Sequence, residues 1–267
     1  MKNRYIFKFM FIKNSSLHRL TINVKYILVE VWPGVLFMKR KMMVLISSFL
    51  SGLCIAFGAT VYLMCLSFGY NFRFLGAFLF GIGLFTIIHF GFWLYTGKVG
   101  KVLDNKPKHI LDLIVCLIGN FLGVAFVSGL MLLTRQAETL KEIAAPIVEA
   151  KQNDAPYSIY INAVFCGIMI YLAVVGHEMC PYSLGKVLFA SLPIVLFIIV
   201  GFDHCVANLS YYMYAGSYSW KGVLYFILMI LGNASGSILF DGLVKLVIRF
   251  GVSKKKKEES NDEYLVQ

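Results

Sequence analysis

Acidic side chains are scarce in this chain: 14 in 267 residues, against 25 lysines and arginines, with charged residues at only 15% of positions. A soluble domain carries roughly a quarter, so an ordinary water-surrounded globule is excluded. Proline is rare too, at six positions, which leaves long stretches free to run as helix. The six cysteines (Cys54, Cys65, Cys116, Cys166, Cys180 and Cys205) lack paired spacing, so they read as small packing residues and not as a disulfide or zinc framework. Neither a clear apolar h-region nor a small-residue cleavage site opens the chain, which argues against a signal peptide.

What is present is apolar. Hydrophobic residues make up 59%, including 23 phenylalanines and 15 tyrosines, enough for tight packing and interfacial belts. Several uncharged runs approach or exceed the ~20 residues that cross a bilayer as helix. The net charge of +11 sits in the tails and short loops. The positive-inside rule accounts for that placement, so no nucleic-acid partner is implied.

Taken in order, residues 1–41 form a basic, aromatic segment expected to lie as an amphipathic stretch at the cytoplasmic face, with Met38 as a second candidate start. Residues 42–250 form one membrane domain. Its expected spans are Met42 to Leu66, Phe74 to Leu103, Ile110 to Leu133, Tyr157 to Gly176, Val187 onward, and a sixth from Gly222. Residues 134–156 read as a polar outside loop, and residues 251–267 as a charged cytoplasmic tail carrying Lys254 to Lys257. The second span is interrupted around His89, Gly91, Thr96, Gly97 and Lys98. Gly201, Asp203, His204 and Asn208 interrupt the fifth. Ionisable residues at such depth usually face a protein interior or a water-lined path.

Gly119-Asn120-Phe121-Leu122-Gly123 in the third span is matched by Gly232-Asn233-Ala234-Ser235-Gly236 in the sixth, each following a broken span. That spacing predicts an all-α fold of two inverted three-helix repeats, with helices 2 and 5 broken and meeting near the midplane. Both termini then lie in the cytoplasm.

The string Gly201-Phe202-Asp203-His204-x-x-Ala207-Asn208 resembles the formate/nitrite transporter family. So do Leu94-Tyr95-Thr96-Gly97, the paired Gly-Asn motifs and Leu192-Pro193, and the likeness spans about residues 40–250. The resemblance implies an aquaporin-like protomer in the cell membrane, assembled as a homopentamer with one pore per protomer. The pores pass small monovalent weak-acid anions such as formate, nitrite or hydrosulfide. By position, His204 falls on the family's central histidine, Thr96 on the threonine facing it, Lys151 on the conduction-path lysine and Asn208 on the asparagine after the histidine. Phe80, Leu84, Tyr95 and Phe197 fall on constriction positions. Gly167, Trp93, Lys98 and His89 depart from the family's pattern. No cofactor or metal is implied.

Physical chemistry suits that reading. An uncompensated ion in a low-dielectric constriction costs many kcal/mol. A cation at Lys151 would draw an anion in, unless Lys151 is only a solvated loop charge. Crossing becomes easier if the anion takes a proton from His204 or from water. Asp203 either anchors the loop or titrates. Enzyme readings fit poorly: a rhomboid-type protease needs its histidine after the serine, whereas His204 precedes Ser235, and Asp203 has no facing aspartate for an aspartyl protease. A neutral-solute channel of the aquaporin type would carry Asn-Pro-Ala motifs, which are absent. A non-transporting sensor on the same scaffold is the other alternative.

Overall fold

The computed structural model describes residues 33–265, with side chains over residues 38–250. The basic segment 1–41 lies mostly outside the described residues, as do the tail's side chains. The described chain is helical: α1 (Pro33–Ser67), α2 (Arg73–Phe90), α3 (Tyr95–Lys98), α4 (Lys108–Met131), α5 (Ala137–Asn153), α6 (Pro156–Met179), α7 (Ser183–Val200), α8 (Cys205–Ala215) and α9 (Trp220–Leu265). A 3₁₀ turn precedes α2 at Tyr70–Phe72, and another, Val99–Asp104, continues α3. The chain divides after Met42 into two units, the first described only as the opening turns of α1. Both helix breaks lie in the second.

Among the described residues six helical stretches are long and apolar enough to cross a membrane: Met38–Ser67, Tyr70–Phe90, Lys108–Met131, Pro156–Met179, Ser183–Val200 and Trp220–Phe250. Helix α2 packs on α7 and α6 on α9, while α8 lies between α4 and α5.

Both breaks are made the same way. Helix α2 stops at Gly91, in the left-handed region at φ 69°, and α7 stops at Gly201, at φ 91°. A side chain would be strained at either angle, which only glycine adopts freely. The next residue reaches back to close the turn: Phe92 N–H donates to Ile87 and Phe202 N–H to Phe197. This is a Schellman-type stop. Three residues later a new helix starts, with Leu94 and His204 as extended N-caps.

A restarted helix leaves backbone N–H groups needing partners, and each Gly-Asn motif supplies one. Asn120 Oδ1 accepts from Tyr95 N–H at 2.9 Å, while its Nδ2 donates to the carbonyls of Ser48 and Trp93. Asn233 Oδ1 accepts from Cys205 N–H at 3.0 Å, while its Nδ2 donates to Ala163 and Asp203. The flanking glycines bring backbone onto backbone. A Cβ at Gly123 would sit 2.1 Å from the Phe49 carbonyl oxygen, and one at Gly236 1.9 Å from that of Val164. The two halves thus repeat each other contact for contact.

The structure differs from expectation in the polar stretch. Residues 134–156 are not a loop: Ala137–Asn153 is an amphipathic helix burying Ala137, Leu140, Ala144 and Val148. Those residues fall at helical spacing on one face, the periodicity that marks a surface helix. The membrane-length part of the second span also ends at Phe90, where Gly91 stops the helix, and the chain to Leu103 continues as α3 and the 3₁₀ turn. The fifth begins at Ser183, one turn before Val187.

Candidate functional site

The two breaks meet side chain to side chain. Thr96 Oγ1, in the first turn of α3, lies 2.9 Å from Nε2 of His204, the N-cap of α8, and both residues are fully buried. The other ring nitrogen fixes the tautomer. His204 Nδ1 accepts the N–H of Ala207 at 3.1 Å, so it carries no proton. The neutral ring therefore holds its hydrogen on Nε2 and donates it to Thr96 Oγ1. The histidine does two jobs: one nitrogen caps a helix and the other presents an N–H.

Apolar rings close around this pair. Phe197 lies against His204 with ring centroids 5.8 Å apart, and Phe80 meets Phe197 edge-on at 6.1 Å. Leu84 and Tyr95 are buried in the same core, the Tyr95 hydroxyl reaching the Ile230 carbonyl at 3.4 Å. Of the expected constriction residues, Phe197 thus touches the histidine ring and Phe80 reaches it through Phe197.

Lys151 and Asn208 belong to a different cluster. Lys151, at the end of α5, places Nζ 2.5 Å from Asp203 Oδ1, and Asn208 Nδ2 donates to the same oxygen at 2.8 Å. Asp203 is buried, and the lysine side chain is only 15% exposed. Lys151 is therefore the counter-ion of the aspartate beside His204, with Asn208 as its second donor. The sequence offers no hint of this pairing, because the two residues stand 52 positions apart and the charge balance of α5 reads as a loop. Breaking a buried pair from one side leaves a stranded charge, at a cost of about 3–5 kcal/mol. Lys151→Met should lower thermal stability in detergent accordingly, and Lys151→Met with Asp203→Asn should recover most of the loss. Equal melting of the single variant and the wild type would show that the pair carries no weight.

The departing positions find physical roles. A Cβ at Gly167 would stand 2.2 Å from the Asn233 carbonyl oxygen, so this position is a helix contact with no room for an asparagine. It corresponds to Gly52, whose Cβ would meet the Asn120 carbonyl oxygen at 2.1 Å. His89 is exposed and stacks on Phe85 at 5.9 Å, apart from the Thr96–His204 pair. Trp93 sits where the second half has Asp203, its backbone N–H donating to Ser47 Oγ and its ring 5.8 Å beneath Lys98 Nζ. Among the described residues no group of His, Cys, Asp and Glu is placed to hold a metal.

At the other end of the first break, Lys245 reaches Asp104 at 2.5 Å and also pairs with Asp241, to which the Tyr171 hydroxyl donates. The 3₁₀ turn that follows Thr96 is thereby tied to α9.

Six apolar helices built as two like halves, with interrupted helices meeting at a buried polar pair, define a multi-pass membrane transport protein. The chain belongs to the formate/nitrite transporter family, whose sequence model matches residues 37–247. It is 27% identical over 199 residues to the uncharacterized transporter YrhG of Bacillus subtilis, covering 69% of this chain and 74% of that one. It is 26% identical over 182 residues to the formate channel BtFdhC of Bacillus thuringiensis, covering 63% and 70%. Its fold matches a solved pentameric formate channel with formate bound, at TM-score 0.69 and 21% identity, over 79% of this chain and 98% of the other. The protein is accordingly a channel or transporter and not an enzyme.

Proposed function

We propose that the chain conducts small monovalent anions of weak acids, of the formate, nitrite or hydrosulfide class, past His204. The observation that carries this reading is the Thr96–His204 contact, a single hydrogen-bonding point where the two breaks meet, walled by Phe80 and Phe197. An anion reaching it is stripped of water and meets one N–H donor and one hydroxyl. The N-terminus of α8 adds a favourable dipole there. The apolar rings offer no further compensation, so the bare ion is costly and the neutral acid crosses readily.

The bond from Ala207 sharpens the proton's source. His204 becomes an imidazolium only if Nδ1 releases the Ala207 N–H and turns donor. Water therefore supplies the proton more easily, and the ring serves as donor at the crossing point. The constriction is completed by Leu84 and Tyr95, and the Lys151–Asp203–Asn208 cluster sets the charge beside it. The protomers assemble as a homopentamer, a reading supported by the pentameric state of the solved formate channel that shares the fold. Both termini lie on the cytoplasmic side, a reading supported by the lysine placement.

The test is flux into proteoliposomes, with formate, nitrite, hydrosulfide, lactate and chloride compared in one assay. Weak-acid anions are expected to enter well above empty liposomes, and chloride not to. Chloride passing as fast as formate, or no weak-acid flux at all, would sink the reading.

A further inference from the structure

We propose that Lys98, held over the indole of Trp93, is a binding station for the permeating anion in the first break, on the side of the lysine-rich turn that follows it. The inference rests on the transport reading above and deepens it by naming a second residue that touches the substrate.

The repeat sets the two breaks in register. Leu94 and His204 are the equivalent N-caps, and Asn120 and Asn233 hold the backbone around them in the same pattern. Counted from these caps, Trp93 takes the place of Asp203, and Lys98 that of Asn208. The contacts follow the count. Asn208 bonds Asp203 and touches the sulfur of Met229, while Lys98 overlies Trp93, whose carbonyl accepts from Cys116 Sγ. Cys116 stands on α4 one turn before Asn120, as Met229 stands on α9 one turn before Asn233.

The same frame therefore carries opposite electrostatics. In the second half a buried carboxylate is satisfied by Lys151 and Asn208, and the local charge sums to zero. In the first half there is no carboxylate at the corresponding place. Lys98 has no ion-pair partner among the described residues. Glu178 and Lys101, the charges that act on it, are bonded to each other at 2.6 Å. A half-buried ammonium with only a ring beneath it is under-compensated. Cation–π attraction holds it in place without neutralising it. An ionisable group that is unpaired within a membrane protein marks an ion pathway.

Trp93 is well suited to be the seat. Its backbone N–H donates to Ser47 Oγ, its backbone carbonyl accepts from Asn120 Nδ2, and its ring lies 5.9 Å from that of His109. The residue is thus held at both backbone groups and its ring packs on a neighbour, and Lys98 stands only two residues beyond Thr96. A small carboxylate leaving the Thr96–His204 pair on this side meets a positioned cation whose neighbouring carboxylate, Glu178, is already paired with Lys101. On the other side the lysine is already engaged by Asp203.

Two readouts test this, one of binding and one of flux. The chain has three tryptophans, Trp32, Trp93 and Trp220. With Trp32→Phe and Trp220→Phe, Trp93 is the sole emitter. Titration of that protein with formate should shift its emission saturably. Lys98→Met should abolish the shift and Lys98→Arg preserve it. No shift in the Trp93-only protein, or an undiminished shift in Lys98→Met, overturns the proposal.

In liposomes Lys98→Met should raise the half-saturating formate concentration about tenfold or more, the worth of one lost charge-assisted hydrogen bond, while Lys98→Arg stays near wild type. Trp93→Asp supplies the missing carboxylate and should raise it likewise with Lys98 intact. Equal impairment in the methionine and arginine variants would mean a merely structural lysine and also overturns the proposal. Wild-type liposomes that pass no formate would defeat the transport reading, while the emission titration would still decide the station by itself.

Discussion

Replacing His204 with phenylalanine is expected to cut formate flux by about tenfold or more while the protein still inserts and assembles. The ring's bulk against Phe197 is kept, but the Nε2–H toward Thr96 is lost. Removing one positioned donor from a low-dielectric site costs a few kcal/mol in such settings, enough for that loss. The substitution also removes the acceptor for Ala207 N–H, a helix cap worth about 0.5–2 kcal/mol, so a modest fall in melting temperature should accompany it. His204→Asn separates the two roles. Asparagine is a good N-cap, so stability should return, but its short amide does not replace the imidazole donor at Thr96. The checks are thermal unfolding in detergent and formate flux against pH. Wild-type rate and pH profile in both variants would make His204 purely a cap.

Asn233→Ala should be the most damaging single change to the fold. It strands the Cys205 N–H and withdraws the donor from the carbonyls of Ala163 and Asp203. At about 1–3 kcal/mol for each buried unsatisfied group, the loss amounts to several kcal/mol and a fall in melting temperature of about 10 °C or more. Asn120→Ala breaks the equivalent set, Tyr95 N–H and the carbonyls of Ser48 and Trp93, and should cost a similar amount. A melting temperature unchanged in either variant, measured on the detergent-solubilised protein, would refute the account of how the breaks are held.

The sequence announces these features unevenly, and physics explains the difference. The six spans follow from run length alone, since crossing a bilayer demands about 20 apolar residues. The breaks are visible as Gly91 and Gly201, because polar residues inside an apolar run need a reason. The Gly-Asn motifs declare the repeat for the same cause: an amide and two glycines are costly in a plain lipid-facing helix. The Thr96–His204 contact joins positions 108 apart and follows from the family resemblance, not from pattern. The Lys151–Asp203 pair is not legible. Its formation depends on α5 being a helix, and a stretch of balanced charge with Pro146 inside it looks like loop until the Leu140, Ala144 and Val148 stripe is weighed. Nor does composition show that Trp93 and Lys98 form a pair, since the contact exists only once the first break has folded.

The asparagine clamps also bear on how the chain is made. Every partner of the Asn120 side chain (Ser48, Trp93, Tyr95 and Cys116) precedes it in the chain. A nascent protein that has left the ribosome only as far as the end of α4 already holds all the groups needed to lock its first break. The second break is equally self-contained, with Ala163, Asp203 and Cys205 all synthesised before Asn233. Each half can therefore be sealed as it is inserted, leaving no open backbone to wait in the lipid. The bonds that join the halves, Thr96 to His204 and Lys245 to Asp104 among them, are deferred until both are complete.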